Sequence, residues 1–97
     1  MGTYLFAYKG GGMAATEEEQ QQVMAAWMGW FGAMGDAVVD MGAPFGASTA
    51  LGNGGTPELT GYSVVSAASL DAARELAAGC PVLERGGAVD VYEAMQM

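Results

Sequence analysis

The sequence predicts an α+β domain in the order strand, helix, strand, strand, helix, strand, and three features carry that prediction. Four short stretches rich in aromatic and β-branched residues are bounded by Gly, Pro and Asn. Two longer stretches open on a Thr or Ser hydroxyl with acids behind it and repeat their apolar residues at helical spacing. At 97 residues the chain is the size of one domain, taken here as residues 1–97, with no repeat or linker inside it.

Residues 3–8 (TYLFAY) form the first strand, which stops at Lys9 and the run Gly10, Gly11, Gly12. A glycine run between strand and helix resembles phosphate-cradling loops, but its spacing matches neither GxxxxGK[ST] nor GxGxxG, so it reads as a connector. Thr16 and Glu19 make a capping box, and Glu17, Glu18 and Glu19 complement the positive end of the helix that follows. That helix is expected to run to about Met41. At 100° per residue Val23, Trp27, Trp30, Phe31, Met34, Val38 and Met41 share one side, with Glu18, Gln22, Ala25, Gly29, Gly32, Asp36 and Asp40 opposite. The two tryptophans fit a core face. Gly29, Gly32 and Gly35 each weaken the helix by about 1 kcal/mol relative to Ala, which suggests another backbone packed closely over them.

Gly42 and Pro44 are expected to stop the helix, and residues 45–51 to form the second strand. Residues 52–57 (GNGGTP) read as a hairpin loop and 60–66 as the third strand. Ser69 caps a second helix with Asp71 in its first turn and Leu70, Ala73, Leu76, Ala77 and Cys80 on one face; Gly79 and Pro81 end it. Residues 88–95 complete the order βαββαβ. With right-handed crossovers this is the ferredoxin-like arrangement, a four-stranded antiparallel sheet with both helices on one face. Strands one and three are then central and two and four lie at the edges.

Alternation along the strands adds a consequence. Tyr4, Phe6 and Tyr8 point one way and Leu5 and Ala7 the other, while Tyr62 and Val64 oppose Val65 and Ala67. Both faces of the sheet are therefore apolar, yet helices cover only one. Two sheets stacked about 10 Å apart would cover the second. Burying about 800 Å² of apolar surface is worth on the order of 20 kcal/mol before association costs. A homodimer joined through its sheet faces is expected.

Charge and composition remove several classes of function. Eleven acids stand against Lys9, Arg74 and Arg85, a net charge of −8, so neither nucleic acid nor an anionic membrane surface is an expected partner. The apolar run 23–35 is shorter than the roughly twenty residues needed to cross a bilayer, and the N-terminus lacks a basic region, so no membrane element is expected. A single cysteine fits a cytoplasmic location. There is no histidine, which eliminates His-based triads and the usual nitrogen metal ligand, and one cysteine cannot build a multi-cysteine zinc site. Neither a metal nor a cofactor is expected.

The segment MGAPFGAST (41–49) is the one place where a helix stop, a strand start and two hydroxyls coincide. As structure alone it breaks a helix and starts an edge strand. As a site, Pro44, Phe45, Ser48 and Thr49, with the strand phenols of Tyr8 and Tyr62, could line a cleft for a small polar ligand. Asp36 and Asp40, spaced as one helical turn, are weak catalytic candidates that could share a proton or bind a cation, or could simply be solvated. Cys80 lacks a histidine base and reads as a buried residue on the second helix's apolar face.

The runs GDAVVDMGAPFGAS (35–48), LTGYSVVSAASLDAARELAAGCP (59–81) and GGAVDVYEAMQM (86–97), with the opening strand and WMGWFGAMGDA, resemble the YCII-related proteins. They resemble most the small bacterial members related to the DGPF group. The resemblance implies a dimeric α+β barrel of ferredoxin-like subunits. Some YCII-type members look like enzymes with a His–Asp pair in the dimer cleft, and one member class is associated with dehydrochlorination of a hydroxylated aromatic. With no histidine that pair does not carry over, and Pro44 and Phe45 after Asp40 and Gly42 stand in place of a literal DGPF. Proteins of the DGPF group are often linked to extracytoplasmic-function sigma factors. Three functions follow: a small-molecule-binding module, a lyase-like or isomerase-like enzyme on a small aromatic or carbonyl compound with Asp36 or Asp40 as base, or an interaction protein whose acidic surface docks a regulatory partner.

Overall fold

A computed structural model describes residues 2–10, 16–49, 51–52 and 59–95. Its elements are β1 (Gly2–Lys9), α1 (Glu17–Met34), β2 (Val38–Pro44), β3 (Leu59–Ala67), α2 (Leu70–Ala77) and β4 (Ala88–Ala94), with 3-10 turns at Gly35–Ala37 and Pro81–Arg85. The strands pair antiparallel in the order β2-β3-β1-β4, which is the ferredoxin-like α+β arrangement with β1 and β3 central. Tyr4, Phe6, Tyr8, Val65 and Ala67 join Trp30 and Met34 of α1 and Ala73 and Ala77 of α2 in one core. Both helices therefore lie on the same side.

α1 begins where the capping box puts it, with the Thr16 hydroxyl accepting from the Glu19 N–H at 3.1 Å. It ends seven residues before the expected Met41. Gly35, at φ +55°, turns the chain out of the helix, and its N–H closes the last turn on the Phe31 carbonyl. Val38 and Met41 continued the apolar helical stripe, but Val38 and Val39 are β-branched and belong to β2. In the strand they alternate: Val38 packs against the core, and Val39 is 61% exposed. The expected second strand at 45–51 is thus displaced. β2 ends at Pro44, an edge strand closing on a residue with no N–H to donate. After the Phe45 N–H donates to the Thr60 carbonyl at 2.9 Å, residues 46–49 are exposed and irregular.

Among the described residues no backbone packs over α1's glycines as expected, since a Cβ at Gly29 or Gly32 would meet nothing within 4 Å. Of the expected 52–57 hairpin loop only Gly52 lies among the described residues. The Ser69 hydroxyl caps α2 by accepting from Ala72 N at 3.1 Å. Ala73 and Ala77 are buried beneath it and Leu76 partly so, but Leu70 is 49% exposed and points away from the expected face. Cys80 lies past the helix, buried.

Register fixes the composition of the sheet's other side. Leu5 pairs with Val64 and Tyr92, and Ala7 with Tyr62 and Asp90, so these residues share the face away from the helices. The Lys9–Asp90 ion pair, at 2.8 Å, belongs to that face too. Among the described residues no helix is long and apolar enough to cross a membrane.

Candidate functional site

A cavity of about 420 Å³ lies between α1 and the sheet. Val23, Trp27, Met28 and Phe31 of α1 roof it, residues 41–44 of β2 and 60–63 of β3 form its floor, and Tyr8, Gly10, Val82 and Arg85 complete the wall. Its size and apolar lining are those of small-molecule sites.

Aromatic side chains hold the roof above the floor. Trp30 is the pillar: its ring stacks on Phe6 at 6.0 Å, and its Nε1 donates to the Leu76 carbonyl at 2.9 Å, tying α1 to the end of α2. Gly79 lies against the same indole, where even a Cβ would sit 3.3 Å from the ring. One turn earlier Trp27 meets Tyr8 edge to face at 5.0 Å and Phe31 at 6.0 Å. Rings of this size keep the helix axis off the sheet, and the volume beneath Trp27 and Phe31 stays open.

The floor is shaped by irregularity in β2. Asp40 pairs with Val64 and Ala43 with Tyr62, so Met41 and Gly42 together face Ser63, which is a β-bulge. Gly42 sits at φ +75°, and a Cβ there would overlap the Tyr62 carbonyl, so no other residue fits without moving the strands. Asp40 steadies the bend by accepting the Gly42 N–H on Oδ1 at 2.8 Å. The bulge leaves the Met41 carbonyl within reach of Ser63, whose hydroxyl donates to it at 2.7 Å. Tyr8 in turn donates to Ser63 Oγ at 2.7 Å, and Thr60 donates to the Tyr8 carbonyl at 3.2 Å.

These hydroxyls are neutral and their protons are committed within the protein. Burial pushes the Tyr8 phenol well above its ordinary value, outweighing the opposing effect of the Ser63 contact, so Tyr8 stays a donor and is no base at neutral pH. Burial likewise pushes the Cys80 thiol up to about 11, and Cys80 is not in the cavity wall. Among the described residues no carboxylate and no thiol lines the cavity, and Arg85 is the one charged residue that does. The surroundings suit binding and orientation more than proton transfer.

The structure brings Tyr8 and Pro44 to the cavity; Tyr62 borders it, but from a strand position whose side chain lies on the face away from the helices. Phe45 is outside it, stacked on Tyr62 at 5.6 Å and 18°. Ser48 and Thr49 are exposed and do not line it. Asp36 and Asp40 are both exposed and outside, one in a 3-10 turn and the other in a strand, so the helical spacing that linked them does not exist. Sequence reasoning favoured a core role for Trp27 and Phe31 and passed over Thr60, Ser63 and Arg85 as site residues. Ser63 carried a usable signal, a hydroxyl at an inward position of an otherwise apolar strand, where burial demands a partner.

No protein-family model matches the chain, and a search of curated proteins finds no match. Among solved structures it is similar to 5-chloro-2-hydroxyhydroquinone dehydrochlorinase from Burkholderia phenoliruptrix, in complex with 2,5-dihydroxybenzoquinone. The TM-score is 0.62 at 20% identity, over 98% of this chain and 95% of that one. What the two share at this identity is the fold.

Proposed function

We propose that this protein is a small-molecule-binding module whose ligand lies in the cavity under α1, and that it belongs with the YCII-related proteins in the cytoplasm. The single observation that carries the binding reading is a 420 Å³ volume with aromatic walls, kept open by Trp27 and Phe31 above and the Gly42 bulge below. Its fold neighbour holds a flat quinone, which agrees with a site of this shape. An enzymatic lyase reading would need a base inside the cavity, and Asp36 and Asp40 are not among its lining residues. Isothermal titration with uncharged 2-naphthol tests the reading: saturable binding is expected, and Val23→Trp, which fills the roof, should abolish it. Binding that Val23→Trp leaves untouched would refute the location.

Assembly as a homodimer through the open sheet face completes the proposal. Leu5, Val64 and Tyr92 form an apolar row there, and the Lys9–Asp90 pair neutralises its own charges, so two such faces meet without repulsion. Light scattering at micromolar concentration should give twice the chain mass, and Val64→Glu should halve it. A wild-type monomer under those conditions would end the proposal.

A further inference from the structure

We infer that the cavity selects a flat apolar acid: one or two fused rings carrying a single carboxylate, with the rings against the cavity-facing sides of Trp27, Phe31 and Tyr8 and the carboxylate at Arg85. This deepens the binding reading and rests on it. Of three cations in the chain, Lys9 is paired with Asp90 across the sheet and Arg74 lies on α2; Arg85 alone borders the cavity. At a net charge of −8 most of the surface repels an anion, so a guanidinium beside an aromatic cavity is a local exception.

The hydroxyls sharpen the choice. Tyr8 donates to Ser63, Ser63 to the Met41 carbonyl and Thr60 to the Tyr8 carbonyl, so their oxygens can accept a hydrogen bond but have no proton to offer. A neutral carbonyl gains nothing from them, whereas a carboxylate can engage the forked donors of the guanidinium. An amine meets the opposite situation, since among the described residues no carboxylate lines the cavity to pair with it. Edge-to-face and tilted rings around the volume favour a planar body over a branched aliphatic one. Glu19 and Glu84 line a shallower depression on the outer side of Arg85, so the ligand's carboxylate competes with protein acids for the same side chain.

The test is isothermal titration of wild-type protein with 2-naphthoate and with its neutral isostere 2-naphthamide. The acid is expected to bind about tenfold more tightly, equivalent to ~1.4 kcal/mol. Arg85→Gln should remove that preference by weakening the acid alone, and circular dichroism should show the variant folded, since Arg85 is exposed. Arg85→Lys should restore it only in part. A measurement that needs no variant is the salt series, in which affinity for the acid falls with ionic strength and affinity for the amide does not. Equal binding of acid and amide overturns the charge selectivity and leaves the cavity reading standing. Binding of neither overturns both, and weakening of both by Arg85→Gln overturns the role of Arg85.

Discussion

The two helices cover the same sheet face and do opposite things to it. α2 is short and presents Ala73 and Ala77, so its backbone comes close to β1, β3 and β4, and the space beneath it is filled by Phe6, Val65 and Cys80. α1 is long and presents Trp27, Trp30 and Phe31, so its backbone comes close chiefly to β2 and the 3-10 turns. Side-chain size sets the height of each helix. Small residues give a solid half, and large ones give a half supported at Trp30 and hollow beyond it.

Removing the shared pillar should have the largest effect. Trp30→Ala deletes the ring against Phe6 and the indole donor to the Leu76 carbonyl, and a loss of about 3–5 kcal/mol is expected from urea denaturation. Gly42→Ala comes next, at about 1–3 kcal/mol from the positive φ with the overlap on Tyr62 in addition, and it should also impair binding because the floor must shift. Ala73→Leu overpacks the solid half and should lose about 1–3 kcal/mol. Val23→Phe, the corresponding enlargement on the hollow half, should change stability by less than about 0.5 kcal/mol. Equal losses for Ala73→Leu and Val23→Phe would erase the contrast.

A separate effect is alkaline. Tyr8 and Cys80 keep their protons in the fold at pH values where the unfolded chain has released them. Their stabilisation is full below about pH 9, where unfolded Cys80 begins to ionise, and the thiol's share is lost as pH rises to about 11. The Tyr8 share begins to fall above about 10 and continues beyond the thiol's. Cys80→Ala should flatten the first part of that decline and Tyr8→Phe the second, as read from midpoints of urea unfolding across pH 8–11.

Much of the fold was legible because caps and alternation are local. Thr16 and Ser69 start the helices where their hydroxyls predict, and the parity of Tyr4, Phe6 and Tyr8 against Leu5 and Ala7 assigned the two faces. The end of α1 was not legible from periodicity. Val38 and Met41 extended a helical stripe by coincidence, and the stop was placed at Gly42; both Gly35 and Gly42 take a positive φ, but Gly35 comes first and its N–H closes the last turn on Phe31. That shift carried β2 with it and moved the anticipated cleft from residues 44–49 to the strand that ends at Pro44. The cavity itself depends on how high Trp27 and Phe31 hold a helix above a floor thirty residues away, a tertiary fact that no local pattern encodes.

The hollow half contains its own reporters. Met28 and Met41 line the cavity on opposite sides, while Met24 and Met95 lie outside it, and all four are more than half exposed. In protein labelled with carbon-13 at methionine methyls, titration with 2-naphthoate should shift the Met28 and Met41 resonances along one saturation curve and leave Met24 and Met95 in place. Shifts confined to Met24 and Met95, or no shift at any methionine, would contradict a ligand site beneath α1.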